Sequence, residues 1–368
     1  MDGCTEFIIS NPPEAVNSTR LHPRVCLSKP AISALILVGV IIVITMFRSE
    51  SPAAGSSANN ILGFNIDGER LLLVYGNPSG LVYESLATPT PRGASFQTVL
   101  EILADQADRL LSIVQAQHLP IPVRLSAAIS GDYQAQTGIV DSAADFPDWR
   151  NVPLKSQLEL RFSLPVFIAQ RADAGALAES LFGQGQNVRN LVFISLKPVV
   201  RAGILSGGRL YQGENGNSGK IGNLILSPAG PAGLGRAGSL NGYVSATGML
   251  ELARLRHPSH WDEDVTIEKI IQAAQEGDPF ATEVVEESGH QLGLGLVGTV
   301  LLLRPDLIVI GHPGCLLGDL LTRPARNALA EATGLAENQL PRLAHSLLGN
   351  RLPELQALAP AIFAARNP

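Results

Sequence analysis

Residues 266–314 read TIEKIIQAAQEGDPFATEVVEESGHQLGLGLVGTVLLLRPDLIVIGHPG, and their pattern decides the fold class. Ile267, Ile270, Ile271 and Ala274 recur at spacings of three and four, which places them on one face of a helix. Gly277, Asp278 and Pro279 break that period. A second, longer helix follows, in which Gly289, Gly293, Gly295 and Gly298 leave room for another backbone. Its apolar run from Leu292 to Leu303 is too short to cross a bilayer and reads as a core helix. DLIVIG, at 306–311, is a buried strand that closes an α/β unit.

Upstream the alternation of elements repeats. ILGFNI at 61–66 and RLLLVY at 70–75 read as strands, a turn spans Gly76 to Gly80, and LVYESLA at 81–87 returns. Val99, Ile102, Leu103, Ala107, Leu110, Leu111 and Val114 share one helical face. VRLSAAISG at 123–131, LPVFIAQ at 164–170, NLVFISL at 190–196 and AGILSGG at 202–208 read as further strands. The chain therefore has two strand-rich beginnings, one near residue 60 and one near 188.

At 368 residues, with 45% apolar and 16% charged side chains, the chain is long enough for two packed domains and is not generally disordered. Its 27 basic and 33 acidic residues give a net charge of −6, so no global attraction to nucleic acid or anionic lipid is expected. Cys4, Cys26 and Cys315 lie far apart, form no metal-binding cluster and fit a reducing compartment, which points to the cytoplasm.

Residues 1–59 have a different composition. The uncharged stretch PAISALILVGVIIVITMF, at 30–47, would form a helix about 27 Å long, near the lower limit for a bilayer of about 30 Å. It reads as a membrane helix, with single-pass inner-membrane location as the alternative to the cytoplasm. A cleavable signal peptide does not fit the long polar stretch before it. The overlapping LSKPAISALI, at 27–36, also resembles the turn and recognition helix of a helix-turn-helix, with Ser28 as cap and Lys29 and Ser33 offered to DNA. RSESPAAGSSANN, at 48–60, then reads as a linker.

Over nearly all of residues 60–368 the order of these pieces resembles the ROK family of repressors, open reading frames and sugar kinases. The resemblance is carried by ADAGALAE at 172–179, by the frame GILSGGRLYQGENGNSGKIGN at 203–223, and by AAQEGDPF onward through DLIVIG at 273–311. It implies the actin-like, hexokinase-like (ASKHA) fold, in which two RNase H-like α/β domains flank a cleft where ATP and a sugar meet. One lobe would comprise 60–168 with a final helix at 353–366, the other 169–345. A homo-oligomer is implied as well.

The family's motifs are altered at each point where they carry chemistry. Its first phosphate motif, Asp-x-Gly-Gly-Thr-Lys, stands here as Asn65, Ile66, Asp67, Gly68, Glu69 and Arg70, with Glu69 adding negative charge where a triphosphate would lie. Lys197, Pro198 and Val199 replace the Gly-Thr-Gly of the second, removing an amide donor, and Gly311 completes the degenerate nucleotide site. The family's general base, the Asp of Glu-Asn-Asp-Ala, corresponds to Arg171. A guanidinium cannot accept a proton at neutral pH, and Asp173, two residues on, is expected to point elsewhere. The zinc ligands correspond to Asn223, Ala232, Leu234 and Ser239, so no zinc is expected, and ATP with magnesium is doubtful. Lys220 and Asn241 stand where the family has two sugar-binding glutamates.

The expectation is a catalytically inactive ROK-like protein acting as a sugar- or sugar-acid-sensing regulator, with an active sugar kinase and a membrane-tethered binding protein as alternatives. Arg171, Asp173, Lys220, Asn223 and Asn241 are the candidate ligand contacts. The added cations Arg171, Lys197, Arg201 and Lys220 imply either an anionic sugar derivative or a cleft closed by ion pairs with Asp67, Glu69 and Asp173.

Overall fold

The computed structural model describes residues 59–367. The DNA-contact candidates Ser28, Lys29 and Ser33 and the apolar stretch 30–47 lie outside these residues. No helix among the described residues is long and apolar enough to cross a membrane.

The described chain begins with a meander, β1 (Ile61–Ile66), β2 (Arg70–Gly76) and β3 (Val82–Pro89). Helix α1 (Phe96–Ala116) follows, its first turn capped by Ser95, whose side chain accepts from the Thr98 amide. Val99, Leu103, Ala107, Leu110 and Val114 on its expected face are buried against the sheet, while Ile102 and Leu111 are only half-buried. β4 (Arg124–Ile129) returns parallel to β1. Before the next sheet strand comes a small antiparallel sheet, β5 (Asp132–Tyr133), β6 (Val140–Ala143) and β7 (Phe146–Val152). The sequence pattern did not indicate it, because the buried residues of β7 recur every third position instead of every second. Trp149 fixes it, stacking on Phe146 at 4.3 Å and donating Nε1 to the Ala94 carbonyl at 3.2 Å.

Helix α2 (Leu154–Phe162), β8 (Val166–Gln170) and α3 (Arg171–Phe182) complete this half. The second half repeats the scheme with β9 (Leu191–Ser195), β10 (Arg201–Ser206) and β11 (Arg209–Tyr211). Next come α4 (Leu240–Val244), α5 (Ala246–Arg256), α6 (Ile267–Gln275), α7 (Pro279–Leu303), β12 (Leu307–Ile310), α8 (Gly314–Leu317), α9 (Asp319–Thr333) and β13 (Arg342–His345). Helix α10 (Leu352–Arg366) closes the chain.

The two large sheets have one topology. Their strand orders are β3-β2-β1-β4-β8 and β11-β10-β9-β12-β13, each an antiparallel meander extended by two parallel strands. This doubled RNase H-like sheet is the actin-like, hexokinase-like arrangement. Helix α3 covers the second sheet through Ala176, Leu177 and Ala178, and α10 covers the first through Ala357, Leu358 and Ala361. β8 stays paired with β4 as far as Gln170, and α3 begins at the next residue.

The quoted stretch folds as helix, break, helix and strand. Asp278 accepts from the Ala281 amide at 2.8 Å and Pro279 opens α7, so the Gly-Asp-Pro break is a cap. A Cβ on Gly293 would lie 2.2 Å from the Ala325 carbonyl oxygen, and one on Gly289 2.5 Å from that of Leu321, both on α9. Gly298 differs from expectation, since nothing lies within 4 Å of where its Cβ would be.

Candidate functional site

The site is assembled from short connections that face one another across the gap between the lobes. On the first side stand the β1–β2 turn, the start of β5 and the β6–β7 hairpin. On the other stand the β9–β10 loop, β10 itself, residues 220–223 and the start of α4.

Arg171 is the first residue of α3, behind the cap residue Gln170. A cation is disfavoured at a helix N-terminus, where the exposed amides already carry partial positive charge. Here acceptors compensate it. Its Nη1 donates to Asp67 Oδ2 at 2.8 Å and its Nη2 to the Lys197 carbonyl at 2.5 Å. The Arg171 and Asp67 side chains are only 12% and 17% exposed, so this is a largely desolvated pair. Asp67 Oδ1 is taken as well, accepting from the Glu69 and Arg70 amides at 2.9 and 2.8 Å. The Lys197 ammonium pairs with the Glu69 carboxylate. Ion pairs between Arg171 and Asp67 and between Lys197 and Glu69 thus occupy both segments that correspond to the phosphate motifs.

Asn65 and Gly311 do other work. Asn65 Nδ2 donates to the Pro353 carbonyl at 3.0 Å, and Gln356 Nε2 donates to the Arg171 carbonyl at 3.0 Å, so α10 is fastened to both β1 and α3. Gly311 is a packing residue, since a Cβ there would lie 2.4 Å from the Phe193 ring. It is its neighbour His312 that borders the same cavity as Asn65, of about 350 Å³. Burial, with Lys197 nearby, lowers the pKa of His312 and favours neutral imidazole.

Asp173 also departs from its candidacy as a ligand contact. It is 4% exposed, and burial pushes its carboxyl up to about 7 against the opposing influence of Gln212 and Arg201. Two residues along α3 turn its direction by about 200° from that of Arg171, and it borders none of the cavities described here.

The polar cavity beside Gln170 measures about 420 Å³ and includes Lys220, Asn223 and Asn241 in its lining. Asn241 is structural, with Oδ1 accepting from the Val200 amide at 2.6 Å and Nδ2 donating to Asn223 Oδ1 at 3.5 Å. Lys220 Nζ lies 2.7 Å from Asp132 Oδ2, and Arg201 holds the other oxygen of the same carboxylate. The ion-pair partner of Arg201 is Asp132, which was not among the carboxylates expected to meet the added cations. Sequence reasoning missed Asp132, Arg150 and Asp145. Asp145 lies against the β1–β2 turn, where a Cβ on Gly68 would come within 2.7 Å of its own, and burial raises its pKa despite Arg171, the Gly68 amide and Ser130.

At the positions of the zinc ligands, Asn223 is engaged with Asn241, Ala232 and Leu234 have no donor, and Ser239 caps α4 by accepting from the Gly242 amide at 3.3 Å. None of the four carries a thiolate or an imidazole.

Comparison with known proteins decides the family. The ROK family model matches residues 79–334. The chain belongs to the ROK family. Both branches of that family are among its relatives. This ROK protein is 27% identical to a glucokinase of Halalkalibacterium halodurans, over 72% of the chain and 83% of the relative. It is 25% identical to a xylose repressor of Caldicellulosiruptor bescii, over 82% of the chain and 78% of the relative. Among solved structures it resembles a ROK family transcriptional regulator described as a homologue of the E. coli MLC protein, with a TM-score of 0.74, 25% identity and coverage of 83% and 78%.

Proposed function

We propose that this ROK protein is a regulator that holds a small sugar-class ligand in its cleft and does not phosphorylate it. The observation that carries this reading is the Arg171–Asp67 ion pair at 2.8 Å. At the seat where the family resemblance puts a proton acceptor there is a cation, and its carboxylate partner is fully engaged in the β1–β2 turn. Glu69 adds charge repulsion toward a nucleotide, and Lys197, which could have met a phosphate, is turned to Glu69. The repressors among the relatives support a regulatory role. Zinc is not part of this proposal, because the four corresponding side chains lack a thiolate or imidazole.

The glucokinase relative favours a second reading, an active hexose kinase. A thermal-shift screen of the full chain with magnesium-ATP, neutral sugars and sugar acids separates the two. Stabilisation by a sugar-class ligand and none by magnesium-ATP is expected; stabilisation by magnesium-ATP that deepens with a hexose would favour the kinase. The regulatory reading also includes a cytoplasmic location and DNA contact through Ser28, Lys29 and Ser33. Absence of a footprint by the full chain on its own upstream region would remove the DNA contact.

A further inference from the structure

The cavity beside Gln170 has an excess of positive charge that the ion pairs do not consume. Arg150, Lys197, Arg201 and Lys220 all border it, against one carboxylate, Asp132. Lys197 is satisfied by Glu69. Arg201 and Lys220 share Asp132, and Arg150 has no carboxylate partner among the described residues, its one hydrogen bond running to the Trp149 carbonyl at 3.4 Å. Exposure ranks these groups by how readily they exchange partners. Arg201 is 9% exposed and firmly held, whereas Lys220 is 37% exposed and Asp132 24%, so water reaches the Lys220 pair and its net contribution is small.

The two ends of that pair belong to different lobes. Asp132 begins β5 beside the first sheet, while Lys220 follows β11 of the second and Arg201 opens β10. Asp132 therefore does two things at once: it fills an anion's place between two cations, and it ties one lobe to the other.

We propose that the cleft takes a sugar bearing a carboxylate or a phosphate, whose anion replaces Asp132 as the partner of Lys220 and is met by Arg150. Asp132 acts as an internal competitor, so occupancy by the ligand and the link between the lobes are coupled. This rests on the reading of the cleft as a sugar-class site. It specifies the chemistry of the ligand and the groups that recognise its charge. Ser130, Asn223 and Gln170, in the same lining, offer hydroxyl and amide groups to the sugar's hydroxyls.

Calorimetry of the full chain with glucuronate, gluconate, glucose 6-phosphate and glucose, at low and high salt, tests it. At least one anion is expected to bind more tightly than glucose and to weaken as salt rises, with the uronate, aldonate and phosphate arms separating the two kinds of anion. Arg150→Gln, at an exposed position, should weaken that anion about tenfold, as loss of a charge-assisted hydrogen bond does. Asp132→Asn should tighten it about two- to fivefold by removing the competitor. Anion binding unchanged in Arg150→Gln, or weakened in Asp132→Asn with the far-ultraviolet spectrum retained, would overturn the inference, as would glucose binding as tightly as every anion. Neutral-sugar binding alone would leave the regulatory reading standing, whereas phosphoryl transfer would remove that reading without touching the anion preference.

Discussion

Arg171 and Asp173 are separated by one residue and differ in every physical respect that matters for chemistry. The first is permanently charged and paired; the second is a buried acid whose charge is disfavoured. Replacing Arg171 by alanine strands Asp67 and leaves the Lys197 carbonyl without its donor, so a loss of about 1–3 kcal/mol in denaturant-derived stability is expected. For Asp173 the sign runs the other way. Its pKa in the folded chain is raised from 3.8 to about 7, so the native state binds more protons than the unfolded state between those values, and stability falls as pH rises through them. The rise corresponds to on the order of 4 kcal/mol, at about 1.4 kcal/mol per pH unit. Asp173→Asn should therefore gain stability relative to the parent as pH rises from about 4 to about 7 and hold that gain above it, as followed by urea unfolding at each pH. A difference independent of pH would show that the buried carboxyl, near Arg201 and Tyr133, is not the titrating group.

Helix α7 shows how far the elements were legible in the sequence. The period of α6, the Gly-Asp-Pro break before α7 and the close approach of a second backbone to α7 all followed from residues 266–311, because they depend on local spacing and on the size of glycine. What the sequence could not distinguish is which glycine meets the neighbour. Gly293→Ala would drive a Cβ to 2.2 Å from a backbone oxygen of α9 and is expected to cost about 1–3 kcal/mol. Gly298→Ala, facing open space, should instead add about 0.5–1 kcal/mol through helix propensity. Chemical denaturation of the two variants reads both signs. The β5–β7 sheet was illegible for a related reason: its strands are short and lack strict alternation, and a packed Trp149 holds them in place.

For the whole molecule, the strand pattern gave an α/β class with two strand-rich beginnings near 60 and 188, and the resemblance to the ROK family implied the doubled fold. The pairing within the site was only partly legible. Asp67 and Glu69 were anticipated, with Asp173, as partners of the added cations should ion pairs close the cleft. Asp132 was not, because Arg201 and Lys220 stand 69 and 88 residues away in sequence and meet it only when the lobes face each other. Ion pairs that join the lobes in this way are screened by salt, more at the exposed Lys220 pair than at the desolvated Arg171 pair. The most direct measurement is transfer of the terminal phosphate from radioactive ATP, with magnesium, to a panel of hexoses by the full chain and by Arg171→Asp. No sugar-dependent label is predicted for either, because the acid restored at 171 would still face altered phosphate loops. Label appearing on a hexose with the unmodified chain would contradict the account.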